Sequence, residues 1–107
     1  MSSSLATWQE RVASFVRTHQ LETTVAIRLL DLMAEVGELS KAHLEATDYG
    51  RHPARYTANW EEELGDILFT LVCLANQTGV SLDTALAQAL AKYERRLAQH
   101  GHPGRSV

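Results

Sequence analysis

Residues 29–43 read LLDLMAEVGELSKAH. The stretch is apolar enough for a core helix, yet Glu35 and Glu38 interrupt it three residues apart, with Gly37 between them. Residues 60–75, WEEELGDILFTLVCLA, repeat the arrangement. Glu63 and Asp66 stand three apart around Gly65, and a long apolar run follows. Residues three apart on an α-helix share a face, so each pair of acids projects together if both stretches are helical. A single such pair usually marks a solvated face. Two pairs embedded in apolar sequence on neighbouring helices ask for a different reason.

Four helical segments account for the chain, and no segment alternates with the period of two that a strand requires. The first spans about Leu5 to Thr18, with Ser4 as N-cap and Trp8, Val12, Phe15 and Val16 as an apolar stripe. Residues His19 to Glu22 connect it to the second, about Thr23 to Ala46, whose stripe is Ala26, Leu29, Leu30, Met33, Val36 and Leu44. Residues 47–56, TDYGRHPARY, carry a glycine and a proline and read as a loop. The third helix spans about Thr57 to Thr78 and stops at Gly79. Ser81 caps the fourth, with Asp83 in its first turn, where the helix dipole favours an anion. That helix carries Leu82, Ala85, Leu86, Ala89, Leu90, Tyr93 and Leu97. The end of the chain, HGHPGRSV from residue 100 to 107, is expected to fray.

The two central helices are each about 35 Å long. Long helices with short connections predict an all-α fold, a four-helix bundle. Ile67, Leu68, Phe69, Leu71, Val72, Leu74 and Ala75 wrap most of the third helix. A chain of 107 residues forms one domain but covers such a helix poorly. The bundle is therefore expected to be completed by self-association. Gly37 and Gly65 are expected to permit close helix approach beside the acids.

Composition narrows the function classes. The net charge is −3 with histidines neutral, so there is no basic bias towards nucleic acid or anionic lipid. Five of the thirteen acidic residues are Glu35, Glu38, Glu61, Glu62 and Glu63, so the negative charge is concentrated at the two motifs. The single cysteine, Cys73, lies in an apolar run and excludes an intramolecular disulfide framework. The start, MSSS, has neither the basic nor the apolar region of a signal peptide. No apolar stretch reaches the length of a membrane span. A cytoplasmic protein without a membrane or nucleic-acid partner is the expectation.

If the second and third helices pack antiparallel across the ten-residue loop, the four acids meet. Carboxylates that converge away from water repel and do not all stay ionised unaided. A hard divalent cation resolves this, and Mg²⁺ takes oxygen ligands while keeping waters and phosphates in its shell. A di-iron carboxylate bundle would want Glu-x-x-His pairs, and neither motif has one.

These residues also carry a family resemblance. The chain resembles the MazG-like, all-α nucleoside triphosphate pyrophosphohydrolases, whose signature is E-x-x-E, a variable spacer, then E-x-x-D. Here it reads Glu35-Val36-Gly37-Glu38, 24 residues, then Glu63-Leu64-Gly65-Asp66. The flanking spellings EVGEL and EELGDIL, and the apolar run after Asp66, extend the likeness over about residues 5 to 97. The resemblance implies hydrolysis of a nucleoside triphosphate to the monophosphate and pyrophosphate in a homodimer or homotetramer. It implies Mg²⁺, for which Mn²⁺ substitutes, with Glu35, Glu38, Glu63 and Asp66 as metal ligands and catalytic groups. A Lys/Arg cluster near the end of the fourth helix, here Lys92, Arg95 and Arg96, is implied to contact phosphates; the same charges would also suit a helix C-terminus. Trp60, one turn before the second motif, and His43, beyond the first, are the candidates for the base. Some relatives that prefer pyrimidine deoxynucleotides carry a tryptophan just after the first motif; this chain reads SKAHLEATDY there and has none, a departure that speaks against pyrimidine preference. Two other readings are a phosphoribosyl-ATP pyrophosphohydrolase, from which the EELGD spelling leans away, and a non-catalytic helical oligomerisation or regulatory module.

Overall fold

The computed structural model describes residues 4–104. Four helices account for about three quarters of them, with no strand among the described residues: α1 Leu5–Thr18, α2 Val25–Ala46, α3 Ala58–Thr78 and α4 Leu82–His100. The all-α expectation is met, and each helix begins within two residues of its expected start. Three starts are fixed by hydroxyl caps. Ser4 accepts from the Thr7 N–H, Thr24 from the Ile27 N–H and Ser81 from the Thr84 N–H. Gly79 and Gly101 end α3 and α4 in the left-handed conformation, at φ +70° and +75°, which glycine adopts without a Cβ penalty. The tail is described as far as Gly104. Arg96 donates to the Pro103 carbonyl at 3.4 Å, and residues 105–107, part of the segment expected to fray, lie outside the described residues.

Helices α2 and α3 form the main packed pair. They run antiparallel: Arg28 lies by Cys73, Glu35 by Asp66, and His43 by Trp60. The loop between them turns through three consecutive left-handed residues, Asp48, Tyr49 and Gly50. The buried Thr47 hydroxyl donates to the His43 carbonyl and accepts from the Gly50 N–H, both at 3.0 Å. That pins the turn to the last turn of α2.

The face that α2 turns inward was not the expected one. Its half-buried positions are Arg28, Asp31, Leu32, Glu35, Leu39, Ala42 and Ala46. The predicted stripe of Ala26, Leu29, Leu30, Met33, Val36 and Leu44 is exposed instead, with Leu30 at 67% and Met33 at 70%. The sequence showed an apolar stripe, but a helix with charge on one face and leucines on the other does not say which side meets its own chain. The glycines also differ from expectation. A Cβ placed on Gly37 or Gly65 meets nothing within 4 Å, so no close helix approach inside the chain requires either one.

Helix α1 crosses α3, with Phe15 edge-on to Phe69 at 6.2 Å between ring centroids. Helix α4 turns 105° away from α3 and packs mainly on α1. The corner is polar. The Asp83 carboxylate accepts from the Leu5 and Ala6 N–H groups at 3.2 and 3.1 Å. The Gln9 amide donates to the Val80 carbonyl at 2.8 Å and accepts from the Leu82 N–H at 3.0 Å. Asn76 donates to the Gln9 carbonyl at 3.0 Å. Beyond this corner Leu86, Leu90, Tyr93 and Leu97 stand exposed. The radius of gyration is 17.0 Å, against about 13 Å for a compact chain of this length. The buried apolar residues are few, Val72, Cys73 and Ala75 among those described. One chain therefore sets out four helices without closing a bundle around them.

Asp83→Ala removes two charge-assisted bonds to the Leu5 and Ala6 N–H groups at the start of α1. It is expected to cost about 1–2 kcal/mol, read by chemical denaturation at neutral pH. A change below about 0.3 kcal/mol would show that the corner is held by other contacts.

Candidate metal centre

Antiparallel packing gives α2 and α3 a shared polar seam. Glu35, about three turns into α2 on its inward face, meets Glu63 and Asp66, one turn apart on α3. One carboxylate oxygen from each of the three lies within 4.8 Å of the others. Glu35 and Glu63 are half-buried and Asp66 is exposed. Asp66 is held in register by its own turn, where its carbonyl accepts from the buried Thr70 hydroxyl at 3.1 Å.

The electrostatics match the crowding. The Glu35 carboxyl is pushed above the ordinary value of 4.5 first by desolvation, then by the negative charges of Asp66, Asp31, Glu63 and Glu38. Glu63 is pushed up in the same way, by desolvation and then by Asp66, Glu38 and Glu62. Desolvation and like charge both disfavour the ionised form. Oxygen donors of this kind, short of positive charge, form the donor set that a hard divalent cation takes.

Glu38 is set apart from the tight trio. It is exposed and lines, with Lys41, Ala42, Glu45, Asn59 and Glu63, a recess of about 200 Å³ beside it. Its charge still bears on both Glu35 and Glu63. Two residues that the sequence reading passed over enter here. Lys41 follows Glu38 by one turn and brings a cation to the recess; that spacing was its only signal. Asp31 precedes Glu35 by one turn and is paired loosely with Arg28 at 3.7 Å.

The basic cluster of α4 is not brought to the acids within one chain. Lys92 lies over the Tyr93 ring at 4.8 Å, Arg96 reaches Tyr93 and Pro103, and Arg95 is exposed. Their helix leaves α3 at the 105° corner, while the acids sit on the α2–α3 seam. The two aromatic candidates, by contrast, are together. His43 and Trp60 are 6.2 Å apart between ring centroids, at the end of the helix pair that also carries the acids. Trp8 lies elsewhere, in an apolar groove between α1 and α3 with Val12, Gly65 and Leu68, under the Arg11 guanidinium at 4.4 Å.

The raised carboxyls fix the sign of a pH effect on the metal-free protein. The folded chain binds protons at Glu35 and Glu63 more tightly than the unfolded chain. Stability from this source is therefore fully present below about pH 4.5 and is lost as pH rises through the folded-state values. Glu35→Gln removes one of the repelling charges. In a chelator, its melting temperature should gain on that of the parent protein as pH rises from 4.5 to neutral. A gap between the two that is constant with pH would mean that the carboxylates do not repel in the folded state.

Known proteins resemble this chain in sequence and in fold. Residues 23–101 match the family described as the MazG nucleotide pyrophosphohydrolase domain, a span that takes in α2, α3 and α4. YpjD of Bacillus subtilis (strain 168), an uncharacterised protein, is 40% identical over 68 residues, which are 61% of this chain and 60% of YpjD. The chain thus matches about three-fifths of the length of that relative. Among solved structures, the Bacillus-conserved MazG protein, a nucleotide pyrophosphohydrolase, superposes with a TM-score of 0.73 at 26% identity, over 87% of this chain and 92% of its own. The crystal structure of Bacillus subtilis YpjD, a proposed pyrophosphatase, gives 0.73 at 28% identity, over 87% and 97%. With both acidic motifs inside the matched span and the helices superposed along most of their length, this chain belongs to the MazG nucleotide pyrophosphohydrolase domain family.

Proposed function

We propose that this protein, acting as one domain over residues 1–107, hydrolyses a nucleoside or deoxynucleoside triphosphate to the monophosphate and pyrophosphate, in the housekeeping of the cytoplasmic nucleotide pool. The observation that carries the reading is the convergence of the Glu35, Glu63 and Asp66 oxygens within 4.8 Å between two apolar helices. A structural role alone would not favour three like charges there, because each raises the cost of the next. The donor set fits Mg²⁺, with Mn²⁺ as a substitute. Glu35, Glu63 and Asp66 would hold the ion, and Glu38 would complete the set from the adjoining recess. A bound divalent ion supplies charge neutralisation for a phosphate chain and acidifies a water molecule.

The protein's own groups do the rest. A carboxylate of the set not engaged as a ligand accepts the proton of the attacking water. Attack at the α phosphorus breaks its bond to the bridging oxygen, and pyrophosphate leaves with that oxygen. Lys41, at the rim of the recess, meets negative charge on the substrate. Lys92, Arg95 and Arg96 contact the phosphates. Within one chain α4 leads away from the acids, so these cations serve the site of a second copy. Trp60 and His43 face the base. The exposed stripe of Leu29, Leu30, Met33 and Val36 on α2, together with the uncovered Leu86, Leu90 and Leu97 on α4, supports a homodimer or homotetramer, since apolar patches of this kind mark interfaces.

Hydrolysis in ¹⁸O-water with Mg²⁺ tests the bond cleaved. Label is expected in the monophosphate, and formation of a diphosphate would overturn the assignment. Glu63→Gln and Glu38→Gln are each expected to lower turnover about 100-fold or more; near-normal turnover of Glu38→Gln would remove Glu38 from the set. Light scattering at micromolar protein should give a dimer or tetramer, and Met33→Glu should lower that mass. A helical monomer of the parent protein would refute the assembly.

A further inference from the structure

At the end of the α2–α3 pair away from His43 and Trp60, α1 crosses the pair and leaves a cavity of about 200 Å³. Ala13 and Val16 of α1 and the buried Cys73 of α3 give it apolar walls. Two amides in its lining tie the walls together. Gln77 donates to the Thr23 carbonyl at 2.7 Å, and Asn76 donates to the Gln9 carbonyl at 3.0 Å. Arg28 lines the cavity from α2, seven residues before Glu35 and so about 10 Å from it along the helix. The cavity and the acids are separate places.

The Arg28 side chain is 11% exposed and short of acceptors. Its Nη2 donates to the Leu21 carbonyl at 3.0 Å, its Nη1 stands 3.7 Å from the Asp31 carboxylate, and its Nε is buried with no partner. Buried donors in folded proteins are almost always paired, so one edge of this guanidinium wants an acceptor that the chain itself does not bring. Arg17, also in the lining, pairs with no carboxylate among the described residues, and Glu22 beside it pairs with neither arginine. Two cations against one anion leave one surplus positive charge. Thr23, two residues before the start of α2, brings the positive end of that helix's dipole close. The Cys73 thiol registers both features of the cavity: burial pushes it up and the Arg28 charge draws it back.

We propose that this cavity is a binding site for a small monocarboxylate with an apolar body. An apolar cavity of about 150 Å³ takes a benzene ring, so the space here holds a ring or a short alkyl chain together with its carboxylate. A carboxylate is planar and offers two acceptors to one edge of a guanidinium, which matches the Nε and an Nη of Arg28. The guanidinium turns to meet it at little cost, because its ionic contact with the part-exposed Asp31 is loose. The single surplus charge selects a monoanion. A phosphate dianion would stand against Glu22 and leave the apolar walls uncovered. The site goes beyond the hydrolytic reading and does not rest on it.

Benzoate is the probe. Calorimetric titration of the whole protein, in a chelator and without nucleotide, is expected to give a Kd below about 5 mM. Benzyl alcohol lacks the charge and inorganic phosphate lacks the apolar body, and each is expected to bind at least about tenfold more weakly. Cys73 reports the place, because it is the sole cysteine. Benzoate at about ten times its Kd should slow the reaction of Cys73 with a disulfide reagent about tenfold. Arg28→Met keeps the apolar stem and is expected to weaken benzoate about 10- to 100-fold. Ala13→Leu fills the cavity with Arg28 in place and should abolish the protection of Cys73, which keeps the test intact if Arg28→Met does not fold. The proposal is overturned by a benzoate Kd above about 5 mM, by binding that leaves Cys73 unprotected, by benzyl alcohol or phosphate binding as tightly as benzoate, or by a folded Arg28→Met that binds like the parent. None of these readouts involves turnover, so the hydrolytic reading stands or falls separately.

Discussion

Helix α2 is turned with Arg28, Asp31 and Glu35 towards its own chain and Leu29, Leu30 and Met33 away from it, and the rest of the structure follows from that. Arg28, Asp31 and Glu35 lie on the side facing α3, while Leu30 and Met33 face outward. This arrangement is costly in an isolated chain. The Arg28 Nε is buried without a partner, a penalty of about 1–3 kcal/mol. Glu35 and Glu63 are crowded enough to raise both carboxyls. The outward leucines gain nothing from water. Carboxylate crowding, the second of these costs, is what a divalent cation relieves, and exposed leucines, the third, are what an apolar surface covers.

Such a seam sets the acids on regular helical backbone. The acids stand on long helices and not on loops, so their separation is set by the packing of α2 on α3. Thr70, one turn beyond Asp66, is among the most buried residues described. The loop between the helices has a different task. Its left-handed turn at Asp48–Gly50, fastened by the Thr47 hydroxyl, returns the chain so that Tyr56 reaches His43 and Trp60. A helix pair that holds charge at its middle therefore carries rings at its end.

Helix α4 is governed by a second polar device. Asp83 satisfies the first N–H groups of α1, and Gln9 satisfies the corner between α3 and α4. Capping one helix with a side chain from another fixes direction as well as stability, because both N–H groups must point at one carboxylate. The direction so fixed carries Lys92, Arg95 and Arg96 away from the acids of the same chain. The extended outline and the exposed α4 stripe are two results of this one corner.

Much of this was legible in the sequence. The four helices, the caps Ser4 and Ser81 and the stop at Gly79 are local signals, read from hydrogen-bonding side chains and from the one residue that tolerates a positive φ. The acid pairs were legible too, because a spacing of three residues fixes a shared helical face whatever the helix packs against. What stayed hidden depends on which side of a helix faces what. The stripe of Leu29, Leu30 and Met33 is identical in sequence whether it meets α3 or a second copy. Gly37 and Gly65 look like contact glycines, yet a Cβ on either meets nothing within 4 Å. Lys41 and Tyr56 stand in no motif; Lys41 comes to the recess by its helical spacing from Glu38, and Tyr56 comes to His43 and Trp60 through the turn. The sequence by itself determined the helices and the pairing of charges along each one, because those depend on residues a few positions apart. The tertiary structure decided which charges meet, which rings gather and which cations are carried off, because those depend on the crossing of helices that no local spacing encodes.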